Sequence, residues 1–376
     1  MGNSALAQEV TQHLHDNVLN YYPDLDGLTI NVRLIDEQHR PFSSLYRFQV
    51  QSPRESHNIF VKGIPLDNSQ YDEDHSQESR ARLAPMLPDA GERTWLEYEA
   101  LKIIDDHFQN LGDPRFGTIH VLDYIDNPQT IIMEESSDPS LRFLFAKNNQ
   151  LNSLLGKSPG LLRAFSNTGA WLRTYSEMPK TENIETRHTH RDDFKKTVVN
   201  FTDFLGQLNG DASYFQRVEK ETITAADEII PDKLPLGLGH GDYAMRNILV
   251  GENDRITAFD TGAKWRVPIY EDIAYFLVQL ETNRLQILTQ GLAFHDQTLA
   301  AYRREFLAGY FGELPAPVKL IKLFQLQLLL DRWSSRSTAY NRHSMSALKA
   351  YRRLYPALIA KQYKKIIDRL LTEIGS

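Results

Sequence analysis

The segment that most constrains this chain reads Gly239-His240-Gly241-Asp242-Tyr243-Ala244-Met245-Arg246-Asn247-Ile248-Leu249-Val250 and, after a short polar stretch, Arg255-Ile256-Thr257-Ala258-Phe259-Asp260-Thr261-Gly262. Residues 248–250 and 255–259 are apolar runs separated by Gly251-Glu252-Asn253-Asp254, the spacing of a β-hairpin with a four-residue turn. With the turn centred between Glu252 and Asn253, Asn247 falls opposite Ala258 and Asp260 sits two residues along on the partner strand. Such diagonal neighbours lie roughly 7–8 Å apart at Cα and point to one face. Asp242, in the loop just before the hairpin, hangs over the same spot. Two acids and one amide at the mouth of a hairpin suit a cation such as Mg²⁺, which takes few protein carboxylates and leaves positions for water and phosphate oxygens. Phosphoryl transfer needs that set: one carboxylate to accept or orient a hydroxyl proton, and metal ligands to neutralise phosphate charge. Each piece alone is bland, since an Asp before a strand is most often a cap or turn residue. The specificity lies in the spacing of the whole.

The rest of the chain supplies a frame. At 376 residues it is long for one compact domain and comfortable for two lobes. Hydrophobic residues make up 41%, enough for a sizeable core. The pattern predicts a helix over 4–22, strands over 28–35, 44–51 and 58–63 joined by a polar hairpin connection at 36–43, and an acidic, Pro-punctuated mobile loop over 66–91. A helix over 92–108 follows, carried by Trp95, Leu96, Leu101, Ile103 and Ile104, then strands over 119–125 and 130–135. Beyond 140 the spacing is helical, with helices predicted over 140–145, 158–177, 191–208, 270–289, 296–311, 317–335 and 344–374 around the one hairpin. Five strands with one helix inserted after the third, followed by a helical remainder, divide the chain into lobes of 1–135 and 136–376.

Cysteine is absent, which excludes disulfides, thiolate metal sites and a Cys nucleophile. The formal net charge of −7 argues against a nucleic-acid partner, because neutralising phosphates takes a basic surface. The amino-terminal residues show no basic stretch followed by an apolar one, and the longest apolar-rich run, 320–330, contains Lys322, Gln325 and Gln327. No leader and no membrane span are expected, and a cytoplasmic location is. Nothing in the sequence speaks to oligomeric state.

The motif segment resembles the His-Gly-Asp-x-x-x-x-Asn motif of the aminoglycoside phosphotransferase family, relatives of the choline kinases and protein kinases. That resemblance implies an α+β, bilobal protein-kinase-like fold: a small five-stranded antiparallel β lobe with one helix, plus a larger, mostly helical lobe. It implies ATP and Mg²⁺ as cofactors, Asp242 as catalytic base, and Asn247 and Asp260 as metal ligands. His240 would buttress the loop by hydrogen bonds rather than act as a base, and Asp272 would cap the next helix and brace the same loop. Lys62 ends the run Ile59-Phe60-Val61-Lys62, where kinases keep the lysine that pairs with ATP phosphates. Glu97 matches its helix partner, while Glu99 is turned about 200° away. Met133 and Glu134 fall where the family meets adenine. Ser43 and Ser44 stand in a phosphate-covering loop without glycine, offering backbone N–H and hydroxyl donors. Arg246, placed where the family often has a Pro-Gly or similar pair, would touch a phosphate or an acidic substrate.

The implied activity is transfer of the γ-phosphate of ATP to a hydroxyl of a small molecule: a sugar, an aminoglycoside or an amino alcohol. The His-Gly-Asp form and the lack of an Ala-Pro-Glu segment after Asp260 disfavour a protein kinase. The joint presence of Lys62, Asp242, Asn247 and Asp260 disfavours an inactive nucleotide-binding or scaffold protein. Residues 332–370 hold ten Lys or Arg and one acid, Asp368. A solvated helical face is the plainer reading of that run. Since no acid cluster follows Asp272, a neutral or anionic acceptor, such as a sugar or sugar phosphate, is expected ahead of a polycationic drug.

Overall fold

The computed structural model describes residues 5–40, 43–64, 90–150, 160–179, 185–261, 265–342 and 349–376. The loop expected over 66–91 lies outside them, except that 90 and 91 already open a helix. The described residues form two compact units, one running up to Asp138 and the other made of Pro114–Phe116 and Pro139–Ser376.

In the first unit, α1 (Ala5–Tyr21) buries Leu6, Val10, Leu14 and Val18, one residue per turn along a single stripe. That stripe packs on Tyr46, Phe48, Val50, Ile59, Val61 and Ile132. They belong to a five-stranded sheet of β1 (Asn31–Arg40), β2 (Ser43–Gln51), β3 (Ser56–Gly63), β4 (Val121–Asp126) and β5 (Gln129–Glu134), in the order β1-β2-β3-β5-β4. All four pairings are antiparallel. β1 continues through the polar residues expected as a turn, past a register shift between Leu34 and Asp36. A bulge of this kind lets a strand carry on after its alternation is broken. The helix α2 (Ala90–Leu111) covers the other face, where Trp95 and Tyr98 reach Tyr124 at ring-centroid distances of 5.1 and 4.9 Å. Strand alternation assigns the faces: Ile59 and Val61 point to α1, so Phe60 and Lys62 point to the side of α2.

The second unit is mostly helical: α3 (Leu141–Lys147), α4 (Leu162–Ser176), α5 (Arg191–Asn209), α6 (Ala212–Ile229), α7 (Tyr270–Thr282), α8 (Arg284–Leu288), α9 (Asp296–Phe311), α10 (Val318–Arg342) and α11 (Lys349–Gly375). Besides short strands at 185–186, 236–238 and 265–268 that form a small sheet, two helical features differ from expectation. The helix α6 is additional; its buried stripe is Phe215, Val218, Thr222 and Ala226, half of it small or polar. The single helix expected over 270–289 is two, because Asn283 ends α7 and caps α8, its side-chain oxygen accepting from the Gln286 N–H at 3.0 Å. The helices α4 and α9 meet backbone to backbone: a Cβ on Gly169 would stand 2.0 Å from the Phe306 carbonyl oxygen, and one on Gly309 1.8 Å from that of Ser166. Only glycine permits this approach. The hairpin is β6 (Ile248–Val250) and β7 (Ile256–Ala258). Among the described residues, no helix is long and apolar enough to cross a membrane.

Candidate active site

The hairpin pairs Ile256 with Val250, Thr257 with Leu249 and Ala258 with Ile248. This is one residue off the expected register. The connection takes five residues rather than four, and the Gly251 N–H closes it on the Arg255 carbonyl at 2.8 Å. Asn247 therefore faces Phe259, whose N–H donates to the Asn247 carbonyl at 3.1 Å, and not Ala258. A slip of one would send Asp260 to the wrong side of the ribbon. The backbone reverses that: Asp260 has φ +67°, a left-handed conformation that costs an ordinary side chain about 1–2 kcal/mol. Its carboxylate so returns to within 3.4 Å of Asn247 Nδ2.

Asp242 is the centre of the resulting network. Its Oδ2 accepts from Asn247 Nδ2 at 3.0 Å and is paired with the Arg246 guanidinium. Its Oδ1 accepts from the Tyr275 hydroxyl at 2.5 Å. The loop turns sharply at Gly241, whose φ of +77° suits glycine alone. Asn247 is buried beneath the two carboxylates, and its amide touches both.

One face of α7 fixes this loop residue by residue. Asp272 accepts the His240 N–H at 2.6 Å and the Gly241 N–H at 3.0 Å. Tyr275 holds Asp242. Gln279 donates to the Tyr243 carbonyl at 3.2 Å and accepts the Met245 N–H at 3.1 Å. Tyr275 and Gln279 escaped the sequence reading. The signal was present: with Asp272 they lie at i, i+3 and i+7, a polar stripe in a helix whose other faces bury Ile273, Ala274, Phe276, Leu277 and Val278. Burial, with the Asp242 charge adding to it, pushes the Tyr275 hydroxyl up to about 12, so it stays a donor. Burial also pushes the Asp272 carboxyl up to about 7, against the pull of its two N–H donors.

His240 does not brace the loop through its ring as expected. The side chain is buried, and neither ring nitrogen has a hydrogen-bond partner of good geometry. Backbone groups of His240 and Phe259 and the Asp260 charge favour its protonated form, but burial outweighs them and lowers its pKa to about 4. The ring packs against Tyr243, Tyr175 and Trp171 at 5.2, 5.6 and 6.3 Å between centroids. Its contribution to the loop is aromatic packing, and its backbone N–H carries the hydrogen bond.

In the first unit, Lys62 Nζ donates to both Glu97 oxygens, at 2.8 and 2.6 Å. Glu97 is only 8% exposed. Glu99 lies instead 3.9 Å from Lys102 on the same helix. Met133 is buried beside Phe60 on the Lys62 face of the sheet. Glu134 is exposed, and its N–H is taken by the His120 carbonyl at 3.0 Å. The two serines separate. Ser44 pairs with Gly63 and is fully buried on the α1 face, its hydroxyl 3.3 Å from His39 Nδ1, so it presents no hydroxyl on the Lys62 side. Ser43, one residue away, alternates onto the Lys62 side.

The donors of the second unit suit Mg²⁺: two carboxylates and an amide that can present its oxygen, with no sulfur or imidazole among them. Asp260 and Asn247 are the residues that could hold the ion.

No protein-family model and no curated protein sequence matches the chain. Solved structures match it over nearly its whole length. A spectinomycin phosphotransferase in complex with ADP and spectinomycin superposes with a TM-score of 0.53 at 12% identity, over 96% of this chain and 98% of that one. An ethanolamine kinase of Plasmodium vivax gives 0.50 at 12% identity, over 98% and 90%. A thermostable aminoglycoside phosphotransferase mutant in ternary complex with ADP and hygromycin B gives 0.50 at 11%, over 96% and 98%. At such identities the likeness is one of fold. The chain has the α+β, protein-kinase-like fold of aminoglycoside phosphotransferases and ethanolamine kinase.

Proposed function

We propose that this protein is an ATP-dependent, Mg²⁺-requiring phosphotransferase that phosphorylates a hydroxyl of a small molecule of the sugar, aminoglycoside or amino-alcohol kind. One observation carries the reading: Asp242, Asn247 and Asp260 meet in a single hydrogen-bonded network braced by α7. The fold supports it, since structures that share it were crystallised with ADP and an aminoglycoside.

Each residue then has a task. Lys62, held by Glu97, meets the phosphates of ATP. Met133 and the Glu134 carbonyl meet the adenine, and Ser43 donates to a phosphate oxygen. Asn247 and Asp260 hold Mg²⁺, which when bound neutralises charge on the phosphate oxygens. Asp242 accepts the proton of the acceptor hydroxyl as that oxygen bonds to the γ-phosphorus and the bond to the β,γ-bridging oxygen breaks, leaving ADP. Tyr275 and Arg246 keep the carboxylate in its orientation, and Asp272 keeps the loop beneath it.

The test is ADP release across sugars, amino alcohols and aminoglycosides, with wild type and two variants. Asp242→Asn lowers turnover by roughly 10²- to 10⁴-fold while nucleotide binding persists. Asp260→Ala weakens Mg–ATP binding itself. Full turnover by Asp242→Asn would remove the assigned base.

A further inference from the structure

We infer that the acceptor is a hydroxyl compound that carries a phosphate group, bound in an arginine-lined cavity beside Asp242. The inference rests on the kinase reading for which side of the reaction the cavity serves. It goes beyond that reading in naming the chemistry of the acceptor.

The cavity lies wholly within the second unit and measures about 670 Å³, within the roughly 300–1,000 Å³ usual for small-molecule sites. Five guanidinium groups line it: Arg142 from α3, Arg246 from the catalytic loop, Arg284 from α8, and Arg332 and Arg336 from α10. No carboxylate lines it among the described residues. Basic side chains that merely solvate a helix face point outward and apart. These five come from four separate segments of the chain and converge on one concavity.

Two of them tie the cavity to the catalytic network. Arg246 is paired with Asp242. The Arg332 guanidinium lies 4.3 Å from the ring centroid of Tyr275, whose hydroxyl donates to Asp242. Arg332 Nε is buried and meets no acceptor, an unspent donor in the cavity wall. Arg336 is held in place by the Thr282 carbonyl, at 3.2 Å from both terminal nitrogens, a neutral partner that leaves its charge uncompensated. An anion seated among these groups places the rest of its molecule beside the Asp242 carboxylate.

The charge pattern selects the anion. A guanidinium fork matches two oxygens of a phosphate or a carboxylate. One carboxylate satisfies one or two forks, whereas a dianionic phosphate offers three oxygens to several at once. Ammonium groups of a polyamine would be repelled by the same lining. Leu288 and Tyr355 add apolar wall for the carbon skeleton.

The experiment uses matched pairs: glycerol with glycerol 3-phosphate, glucose with glucose 6-phosphate, gluconate as a carboxylate arm, and an aminoglycoside. ADP release is measured for wild type and for Arg142→Gln and Arg284→Gln, and calorimetry measures glucose 6-phosphate and inorganic phosphate binding to wild type without nucleotide. The expected result is turnover of a phosphorylated member at a kcat/KM roughly 100-fold above its parent. Each variant raises the acceptor KM by roughly 10- to 100-fold, the worth of a charge-assisted hydrogen bond, and does not move the KM for ATP. Inorganic phosphate competes with the acceptor on wild type, which keeps the test decisive should a variant fail to fold. Equal turnover of neutral parents, or turnover of gluconate or the aminoglycoside alone, overturns the phosphate inference and leaves the kinase reading standing. Binding of glucose 6-phosphate that Arg142→Gln abolishes, with no ADP from any compound, supports the anion cavity and sinks the kinase reading. Absence of both binding and turnover for every phosphorylated probe overturns the inference.

Discussion

His240 sits fully buried with a pKa lowered to about 4, where an unfolded chain has the ordinary 6.5. The folded protein therefore keeps the ring neutral while the unfolded chain takes up a proton below 6.5. Its stabilising contribution is present above pH 6.5 and is lost as pH falls toward 4. Asp272 acts in the opposite sense. Raised from 3.8 to about 7, it stays protonated in the folded protein where the unfolded chain ionises, so its contribution fades as pH rises from about 4 to 7. A wild-type pH profile mixes the two. The difference between wild type and His240→Leu isolates the histidine, because Asp272 is common to both. That difference is expected to shrink by about 2 kcal/mol between pH 7 and pH 5, read from urea denaturation at each pH. A constant difference would mean that the ring protonates freely in the fold. At this scale the sequence was informative about which residues meet, as at Asp242, Asn247 and Asp260. At Tyr275 and Gln279 the only signal was their spacing with Asp272, since neither residue type points to a supporting role by itself.

The crossing of α4 and α9 is built on Gly169 and Gly309, each facing a backbone carbonyl of the other helix. An added methyl has no flexible neighbour to displace, so the helices must part. Gly309→Ala and Gly169→Ala are each expected to cost about 1–3 kcal/mol or more, measured as a lower urea midpoint at unchanged slope. Gly160→Ala, in open space, is the matched control. Helix spacing made α1, α5 and α9 legible, since their apolar residues recur at three and four. It failed for α6, where Thr222 and Ala226 occupy buried positions that a hydrophobic pattern does not count. The hairpin shows a second limit. Its existence follows from two apolar runs and a polar gap, but its register depended on whether Arg255 belonged to the strand or to the turn. The left-handed Asp260 that compensates is only weakly signalled by residue type, since Asp tolerates that conformation better than most side chains but seldom adopts it.

At the scale of the whole molecule, a buried carboxylate of the second unit ties three distant helices together. Glu281 of α7 is 5% exposed and pairs with both Arg303 of α9 and Arg369 of α11. Glu281→Ala leaves two cations facing each other across the space of the carboxylate. Because both arginines retain contact with solvent, the expected loss is about 2 kcal/mol, below the figure for a wholly buried pair. Thermal and urea unfolding check it, and Arg303→Met combined with Glu281→Met should recover part of the loss. The split of α7 from α8 at Asn283 has a further consequence. The Asp242 loop leans on α7, through Asp272, Tyr275 and Gln279, while α8 carries Arg284, Leu285 and Leu288 to the cavity. Its inward residues, Gln286 and Ile287, are buried and moor the short helix. On the proposed reading, the three positions that α8 turns to the cavity form an exchangeable cassette, through which a lineage, or an engineer, can retune what is accepted while the contacts of α7 to the Asp242 loop stay in place.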